Sequence, residues 1–506
     1  MNKNTCLLLG WLLSFGFTAS SAELQRLSRE ELRDKIRGAW AGQMIGVSYG
    51  ARTEFKAQSR ILEGEIQPDA LSNAIHQDDL YVEMTFAKVM DTKGLNATPG
   101  DYGIAFRDSQ YSLWHANAGA RRNLARGIMP PLSGSPRYNL HADDIDFQIE
   151  ADFIGIMCPG LPRVSNKYCA RVGQVMNSGD GIYGGMFICG MYTAAYFNKD
   201  PRKVVEAGLA CLPAKSTYAA LIRDVLAQSK ANPTDWKATW ARVDEKWNKD
   251  DPCPDGALTP FNIDAKLNGA YIAIGLLYGG GDLRRTMEVA TRCGQDSDCN
   301  PSSAAGILGT IIGYGQIPAE YRSELDKLAA TKFDFTDYSF NDIVQSTEKR
   351  MLQIVREAGG KASDLEVMIP RQTPKAAKLE QSRFGVPVQV LGPKDPSWQW
   401  LGTWVATKDA RTSSGYGQEV ILHFRGTGIA IVGDCTQDGG KADVYLDGKK
   451  QEFAADARIP ERTYDNDLWH RNDLFPGEHT LKLVTLADSD SKGAKISISK
   501  AVVYQR

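Results

Sequence analysis

The pattern of apolar and polar positions divides the chain into a helical part and a part rich in strands. From Leu27 to about Glu357, apolar residues recur at helical spacing, as they do from Leu32 to Ile45. Ser28, followed three residues later by Glu31, forms a capping-box pattern that predicts the start of the first helix. Almost no stretch in this part alternates as a strand would. We therefore predict an all-α domain over residues 23–370.

A change in composition marks the end of the helical part. Four prolines punctuate a polar stretch there, at Pro370, Pro374, Pro387 and Pro393. Proline cannot donate a backbone hydrogen bond, so it interrupts regular elements. We predict a linker over residues 371–397 that joins two separately folding domains.

Short runs with strand character dominate the rest of the chain. Thr480 to Val484 alternates between apolar and polar side chains, which is typical of a strand with one buried face. Asp447-Gly448 is a hairpin turn signal. Similar runs are Glu419 to Phe424, Gly428 to Val432, Ala442 to Leu446 and Ile496 to Tyr504. Strands at this spacing predict a jelly-roll-like β-sandwich over residues 398–506.

The first residues have the features of an export signal. Lys3 supplies a positive charge, Cys6 to Phe17 is almost wholly apolar, and Ser20-Ser21-Ala22 offers small residues at a cleavage point. A membrane anchor is the alternative, but this run is shorter than the roughly 20 residues that a spanning helix needs. We predict a signal peptide over residues 1–22 and a secreted or periplasmic protein without a membrane span.

Composition excludes several classes of partner and chemistry. The chain of 506 residues carries 59 Lys and Arg against 61 Asp and Glu, a formal net charge of −2. A nucleic-acid partner would need clustered cations to neutralise its phosphates, so we expect none. The six histidines include no His-x-x-x-His pair, so zinc hydrolysis is not expected. We expect most of the thinly spread cysteines to be buried free thiols.

Two pairs of neighbouring carboxylates carry the clearest chemical signal. Asp78 and Asp79 follow Gln77, and Asp296 and Asp298 lie one residue apart beside a glycine. Adjacent carboxylates repel one another and are costly to bury unpaired. A hard cation bound through oxygen atoms removes that cost. Because each pair opens a helical stretch, the sequence predicts one metal site between helices.

Four motifs occur in a fixed order along the helical part. They are Gly38-Ala-Trp-Ala-Gly42 with the acidic loop at Glu54, then Gln77-Asp78-Asp79, Asn177-Ser-Gly-Asp-Gly181 and Gly294-Gln-Asp-Ser-Asp-Cys-Asn300. Together they resemble the ADP-ribosylglycohydrolase superfamily, over roughly Leu27 to Ile317. The closest resemblance is to its dinitrogenase reductase-activating glycohydrolase-like members, as a secreted bacterial subfamily with a C-terminal sandwich. The resemblance implies an all-helical, Mg²⁺-dependent hydrolase that cleaves bonds at the anomeric carbon of ribose.

The resemblance also implies roles for individual residues. It places Mg²⁺ or Mn²⁺, as one or two ions, on Gln77, Asp78, Asp79, Asp296, Asp298 and Cys299. The candidate catalytic residues are Glu54, Asp78 and Asp296. Glu54 would bind metal or act as an acid–base group, and its structural alternative is a surface carboxylate on a loop. For the carboxylates at 296 and 298 the alternative is helix capping.

Several positions depart from the family pattern. Gln77 and Leu80 replace threonines, Val47 replaces an aspartate, and Cys299 replaces a threonine that would contact metal. A thiol is a poor ligand for Mg²⁺, so we expect a second ion to be weak or absent. These changes indicate a divergent subfamily.

Substrate contacts are predicted in two places. The resemblance puts the central glycine-rich turn near the ribose, with Asn177, Gly179, Asp180 and Gly181. Trp114 and His115 adjoin a stretch from Gly119 to Arg171 that is rich in Pro and Gly and is expected to loop over a site. They would bind a sugar by stacking and hydrogen bonding, or simply form a structural loop. Asp143, Asp144 and Asp146 form a solvated turn or a minor alternative metal site.

These observations predict an exported, metal-dependent glycoside hydrolase that acts on a small-molecule or glycan substrate. The bond cleaved would be N- or O-glycosidic, at a pentofuranosyl or similar sugar. The alternative is a secreted protein that binds a sugar or nucleotide sugar and has lost catalysis. The aromatic side chains of the sandwich either bind carbohydrate or fill the core of the sandwich. These residues are Trp398, Trp400, Trp404, Tyr464 and Trp469. Since every motif precedes the sandwich, we expect it to be separable.

Overall fold

A computed structural model of the chain describes residues 23–249, 251–380, 384–459, 463–487 and 495–506. It has a helical domain followed by a domain of antiparallel β-sheets, as the sequence predicts. The predicted signal peptide lies outside the described residues. Within the described ranges, no helix has the length and apolarity needed to cross a membrane.

Helices account for most of the chain up to Glu357. They are α1 (Arg29–Gly50), α2 (Asp78–Lys93), α3 (Pro99–Arg107), α4 (His115–Ala125), α5 (Asp146–Ile149), α6 (Asp152–Ile156), α7 (Pro162–Gly173), α8 (Asp180–Ala195), α9 (Pro201–Leu209), α10 (Thr217–Ala231), α11 (Trp236–Trp247), α12 (Ala265–Tyr278), α13 (Leu283–Arg292), α14 (Cys299–Ile312), α15 (Ala319–Leu328) and α16 (Phe340–Glu357). The predicted N-cap is confirmed, because the Ser28 side chain accepts a hydrogen bond from the Glu31 backbone N–H.

The stretch from Gly119 to Arg171 is more helical than its composition predicts. It contains most of α4, all of α5 and α6, and most of α7. Phe147 and Phe153 in this stretch are fully buried in the main core. Burial of these side chains against α8 gives short helices a stability that local sequence does not supply.

A small sheet, missed by the sequence pattern, joins the two ends of the helical domain. It consists of β1 (Leu24–Ser28), β2 (Lys361–Ala362) and β3 (Glu366–Pro370), in the order β1-β3-β2. The antiparallel register pairs Leu24 with Pro370 and Ser28 with Glu366. These strands are too short to show an alternation that separates them from helix.

The remaining strands form two six-stranded sheets. They are β4 (Val386–Leu391), β5 (Trp398–Leu401), β6 (Val405–Ala406), β7 (Arg411–Ser413), β8 (Glu419–Gly426), β9 (Gly428–Cys435), β10 (Lys441–Leu446), β11 (Lys449–Lys450), β12 (Ala455–Asp456), β13 (Thr463–Arg471), β14 (Gly477–Thr485) and β15 (Ile496–Gln505). The first sheet has the order β11-β10-β14-β8-β5, with β12 beside β10. The second has the order β13-β9-β15-β7-β6, with β4 beside β15. Strand β4 begins inside the predicted linker, because its backbone pairs with β15 despite Pro387.

The tryptophans proposed from sequence as sugar contacts lie in or against the sandwich core. Trp398 and Trp469 are buried in it, and Trp400 and Trp404 pack against it. The rings of Trp398 and Trp400 stack with centroids 5.1 Å apart. The side chain of Tyr464 is outside the described part of the chain. The four tryptophans therefore contribute apolar packing to the sandwich.

Strand β9 of the second sheet is buried on both faces. Ile429 and Ile431 of β9 face the interior of the sandwich. Their neighbours Ala430 and Val432 face the helical domain, where they join a cluster with Leu140 and other residues of that domain. Because neither face meets water, β9 reads as a continuous apolar run in the sequence.

Polar contacts reinforce this interface between the domains. Arg122 of α4 donates a hydrogen bond of 2.9 Å to the Asp467 carbonyl of β13. The Tyr504 hydroxyl donates to the Pro252 carbonyl at 2.8 Å. The sequence led us to expect a separable sandwich. The buried interface differs from that expectation, because removing the sandwich would expose the apolar residues beneath β9.

Docking of the sandwich is expected to depend on pH through a buried ion pair. Burial disfavours a charged His470, but Asp467 and the Pro136 carbonyl outweigh that effect and raise the pKa of His470. The same imidazolium lowers the pKa of Asp467 in spite of burial.

The stabilising effect of His470 is present below its unfolded pKa of about 6.5 and is lost as pH rises through its higher native pKa. The difference in free energy of unfolding between wild type and His470→Gln should thus be largest at about pH 6. This pH is above the pKa of Asp467, so the carboxylate that pairs with His470 is ionised. The difference should shrink at alkaline pH. The exposed His423, replaced by Gln, is the control. A constant difference from pH 6 to 9 would contradict the assignment.

Candidate active site

The two carboxylate pairs meet although more than two hundred residues separate them in the chain. Asp78 and Asp79 form the first turn of α2, and Asp298 immediately precedes α14. Ligand atoms of Asp79, Asp298 and Cys299 lie within 4.8 Å of one another. Helix N-termini carry partial positive charge, which favours carboxylates at both places.

Glu54 joins the same site from a third segment. Its carboxylate lies within 4.8 Å of single oxygen atoms of Asp296 and Asp298, which are also that close to each other. Asp298 therefore belongs to two adjacent groups of possible metal ligands. Asp79 is 1% exposed and Asp296 and Asp298 are each 3% exposed, whereas Glu54 is exposed to solvent.

A ladder of glycines fixes the position of α1 against α14. Gly38, Gly42, Gly46 and Gly50 occupy successive turns of α1. A Cβ added to each would lie only 2.0 to 2.2 Å from a carbonyl oxygen of the facing segment. In the same order, these oxygens belong to Gly309, Ala305, Pro301 and Ser297. Only glycine allows backbones to approach so closely. The last contact sets the end of α1 against the turn that carries Asp296 and Asp298.

Hydrogen bonds then attach the Glu54 loop to that turn. The hydroxyls of Thr53 and Ser297 are 2.8 Å apart. The Phe55 backbone N–H donates to the Gln295 carbonyl at 3.0 Å, and Gln295 donates to the Ala57 carbonyl at 2.8 Å. Gln295 has a φ of 54°, an unfavourable backbone conformation for a residue with a side chain. The loop and the turn are thus held as one unit.

Helix capping does not account for the aspartates of α14. Asp298 occupies the N-cap position, yet its side chain makes no capping hydrogen bond. Among the described residues, Oδ1 of Asp296 and Oδ1 of Asp298 are buried without a hydrogen-bond partner. Buried carboxylate oxygens without partners are costly, so these atoms are suited to a cation.

The electrostatics of the site also favour a cation. Although part of Glu54 is accessible, protein atoms around its carboxyl group displace water, and with the charges of Asp298 and Asp78 they raise the pKa of Glu54 to about 8. Burial raises the pKa of Asp298 to about 6. Burial and neighbouring carboxylates also raise the pKa values of Asp79 and Asp296. The carboxylates disfavour one another's charge, and a divalent cation would remove this repulsion.

The residues that depart from the family pattern lie either in the apolar core or at the carboxylate site. Val47 and Leu80 are buried in the main apolar core. Gln77 is half-buried at the N-cap position of α2, directly beside the acidic pair. The Cys299 thiol is in the site itself, with Sγ 3.3 Å from Oδ2 of Asp79.

The central glycine-rich turn is organised around a neighbouring loop. Asn177 donates to the carbonyls of Ala142 and Asp144 and accepts a hydrogen bond from the Phe147 N–H. A Cβ at Gly181 would lie 2.5 Å from the Asn177 amide nitrogen. Asn177 and Gly181 thus hold the loop that precedes α5.

The other two residues of this turn lie at the start of α8. Gly179 has a φ of 53°, which brings the chain into the helix. The Asp180 carboxylate accepts a hydrogen bond from the Tyr218 N–H at 3.2 Å, and burial raises its pKa to about 6. Both residues therefore have structural contacts within the helical domain.

Trp114 and His115 lie at the start of α4. Trp114 is 56% exposed. His115 is close enough to the carboxylate site for its charge to lower the pKa values of Glu54 and Asp78. Its Nδ1 is 3.3 Å from Oδ2 of Asp255. The structure thus places His115 beside the carboxylates, and the Trp114 side chain is exposed to solvent.

The sequence analysis missed two acidic residues beneath the site. Glu83 is fully buried on α2 and accepts a hydrogen bond from the Phe153 N–H at 2.8 Å. Asp152 accepts hydrogen bonds from Tyr192 and Ser303. The spacing of four between Asp79 and Glu83 puts both on one face of α2, and this signal could have identified Glu83.

The chain is similar to several solved structures and matches one family model. A solved "ADP-ribosylglycohydrolase-related protein complex" is 14% identical, with a TM-score of 0.41, over 64% of this chain and 99% of that chain. A family two carbohydrate esterase from Cellvibrio japonicus is 15% identical, with a TM-score of 0.19, over 23% of this chain and 33% of that chain.

The CBM36-1 domain of a multidomain xylanase from the hindgut metagenome of Trinervitermes trinervoides is 13% identical, with a TM-score of 0.18, over 22% of this chain and 94% of that chain. No curated protein matches the chain. A family model described as ADP-ribosylglycohydrolase matches residues 28–353, which is more than half of the sequence. The chain therefore belongs to the ADP-ribosylglycohydrolase family.

Proposed function

We propose that this glycohydrolase is metal-dependent and hydrolyses an N- or O-glycosidic bond at a pentofuranosyl or similar sugar. The observation that carries the proposal is the meeting of three segments, whose carboxylates at Glu54, Asp79, Asp296 and Asp298 lie in two adjacent groups of ligands. Buried carboxylates in such number are seldom retained unless they bind a metal or take part in chemistry.

One or two Mg²⁺ or Mn²⁺ ions fit this set of donors, since hard cations prefer carboxylate oxygens. Asp79, Asp296 and Asp298 would hold the metal, and Asp298 belongs to both ligand groups. Asp78 adds negative charge beside them. A cation here would polarise a substrate oxygen and orient the sugar.

Glu54 is the proposed acid–base residue. It is exposed, whereas Asp79, Asp296 and Asp298 are buried, so it can meet a substrate that enters from solvent. In the metal-free site its pKa is raised to about 8, and a carboxyl group that can hold a proton is what an acid–base role requires. Trp114, which is exposed and directly precedes His115 in the chain, is proposed to stack against the sugar or its aglycone.

The test is a screen of the purified full chain against glycosides, nucleosides and ADP-ribosyl peptides, with and without EDTA. We expect turnover of at least one class, its loss in EDTA, and its return with Mg²⁺ or Mn²⁺. Glu54→Gln should lower this turnover by roughly a hundredfold or more. Glu63→Gln, an exposed carboxylate further along the same segment, is the matched control.

Turnover that is unaffected by EDTA would overturn metal dependence. A protein that binds sugars with metal present but converts none would instead be the sugar-binding protein without catalysis. All four carboxylates of the two ligand groups are present in this chain, so we favour hydrolysis.

Export is part of the proposal and has its own test. Residues 1–22 have the charge, apolar run and small residues of a signal peptide. Expressed with its first residues in a bacterial host, the protein should be recovered outside the cytoplasm with Glu23 as its N-terminus. Mass spectrometry of the intact protein measures this, and retention of residues 1–22 would refute cleavage.

Cys299 is expected to limit metal binding. Its thiol contacts Asp79 where a hard ligand would serve Mg²⁺ better. In Cys299→Thr, the Mg²⁺ content should rise from about one to about two ions per chain, because a hydroxyl oxygen suits this cation. Elemental analysis measures the content. Equal occupancy in wild type and variant would show that the thiol is not limiting.

A further inference from the structure

A second group of ligand-type side chains lies beside the carboxylate site. His115, His141, Asp144 and Cys253 each contribute one ligand atom, and these four atoms all lie within 4.8 Å of one another. His141 is 4% exposed, and Asp144 and Cys253 are fully buried. The proposed hydrolysis uses neither Cys253 nor His141, so their convergence needs its own explanation.

The distances within this group are close to those around a tetrahedral metal. Nδ1 of His141 is 2.8 Å from Oδ2 of Asp144 and 3.5 Å from Sγ of Cys253. Nδ1 of His115 is 3.8 Å from Oδ2 of Asp144 and 4.0 Å from Sγ of Cys253. The bond lengths of zinc sites imply ligand separations of about 3.3 to 3.6 Å. Small movements would therefore complete a four-coordinate site.

Two further features indicate a ligand at this place. His115 has a φ of 44°, in the left-handed region that residues other than glycine rarely adopt. Such strain persists where the surroundings require it, often at binding sites. Among the described residues, Oδ1 of Asp144 is buried without a hydrogen-bond partner. The hydrogen bonds within this group of residues therefore leave one oxygen of Asp144 without a partner.

We propose that His115, His141, Asp144 and Cys253 bind one Zn²⁺ ion, at a site distinct from the carboxylate site. Two imidazoles, a thiol and a carboxylate form a mixed N, S and O set that suits zinc, whereas the neighbouring site offers mainly oxygens. Four protein ligands fill a tetrahedral sphere, so the ion stabilises structure and does not activate water. His115 is thereby assigned to the metal and not to the sugar.

The ion would join three segments that support the sandwich. His115 begins α4, His141 and Asp144 belong to the loop before α5, and Cys253 follows α11. Leu140 and Ala142, on either side of His141, pack against the second sheet. Next to Cys253, Pro252 accepts the hydrogen bond from Tyr504 of β15. Zinc at this place would fix the surface on which the sandwich docks.

The test uses the full chain carrying Asp296→Asn and Asp298→Asn, so that the carboxylate site cannot compete for metal. After chelation and dialysis, Zn²⁺ alone is added and elemental analysis measures its content. We expect about one ion per chain. Adding Cys253→Ala or His141→Gln should reduce the content to near zero. Cys293→Ala, at a buried cysteine outside the group, is the matched control and should keep the ion.

Cobalt provides a second, spectroscopic measurement on the same chain with Asp296→Asn and Asp298→Asn. Co²⁺ in place of zinc should give the visible bands of a tetrahedral site and a thiolate charge-transfer band. The charge-transfer band should persist in Cys299→Thr. Failure to take up zinc, uptake unchanged by Cys253→Ala, or a cobalt spectrum without the thiolate band would each overturn the proposal. Because the carboxylate site is disabled, none of these outcomes bears on the proposed hydrolysis.

Discussion

Replacing Asp296 and Asp298 together by asparagine should abolish Mg²⁺ binding and lower turnover by roughly a thousandfold, equivalent to about 4 kcal/mol. Both side chains are buried, both have an oxygen without a hydrogen-bond partner, and Asp298 belongs to both ligand groups. Asparagine keeps the shape but removes the charge that holds a hard cation. Titration calorimetry measures the metal affinity, and initial rates measure turnover.

The same variant separates loss of a ligand from loss of folding. In the metal-free protein, neighbouring carboxylates raise one another's pKa values, so removing two charges should leave the free energy of unfolding equal or higher. Asp337→Asn, at an exposed carboxylate, is the control. An unchanged metal affinity in the double variant would refute the assignment of this site.

Gly42→Ala should destabilise the protein by about 3 kcal/mol or more, since overpacking of a tight contact is costly. The added methyl group would lie 2.1 Å from the Ala305 carbonyl oxygen and 2.5 Å from its carbon. These are backbone atoms of α14 that no rotamer change can move aside. The helices must separate, which also displaces the turn with Asp296 and Asp298, so metal affinity should fall as well.

Denaturant unfolding measures the loss of stability, and Gly100→Ala is the matched control in α3. The nearest atom to a Cβ at Gly100 is 3.7 Å away, so this change should be neutral or stabilise the protein by up to about 1 kcal/mol. Equal stability of Gly42→Ala and wild type would show that α1 and α14 can move apart freely.

The sequence predicted the fold correctly where the spacing of apolar residues and the need to bury them indicated the same helix or strand. The helix around Asp78 and the strand Thr480 to Val484 both occur close to where they were predicted. The glycines of α1 were recognised as a motif, but their partners could not be inferred. Contacts with the carbonyls of α14 depend on register between distant helices, which no local pattern encodes.

The site was predictable only in part. The carboxylate pairs were visible because charges adjacent in sequence are costly to bury. Cys253, by contrast, comes together with His115 and His141 from three separate segments, and no fixed spacing links them. The resemblance implied a substrate contact for Asn177, yet the described hydrogen bonds of its side chain hold the loop before α5. Motif position alone does not separate a binding role from a structural one.

The small sheet that joins the ends of the helical domain has a mechanical consequence. Glu23 and Arg371 lie at the same end of the β1–β3 pair, and the Arg371 N–H donates to the Glu23 carbonyl. A force pulling these two residues apart loads the hydrogen bonds one after another, as in opening a zipper. The α1–α14 contact runs along the length of α14, from Gly50 beside Ser297 to Gly38 beside Gly309, and must yield as a unit. Tension on the chain should therefore separate β1 from β3 first and leave the helices of the domain intact.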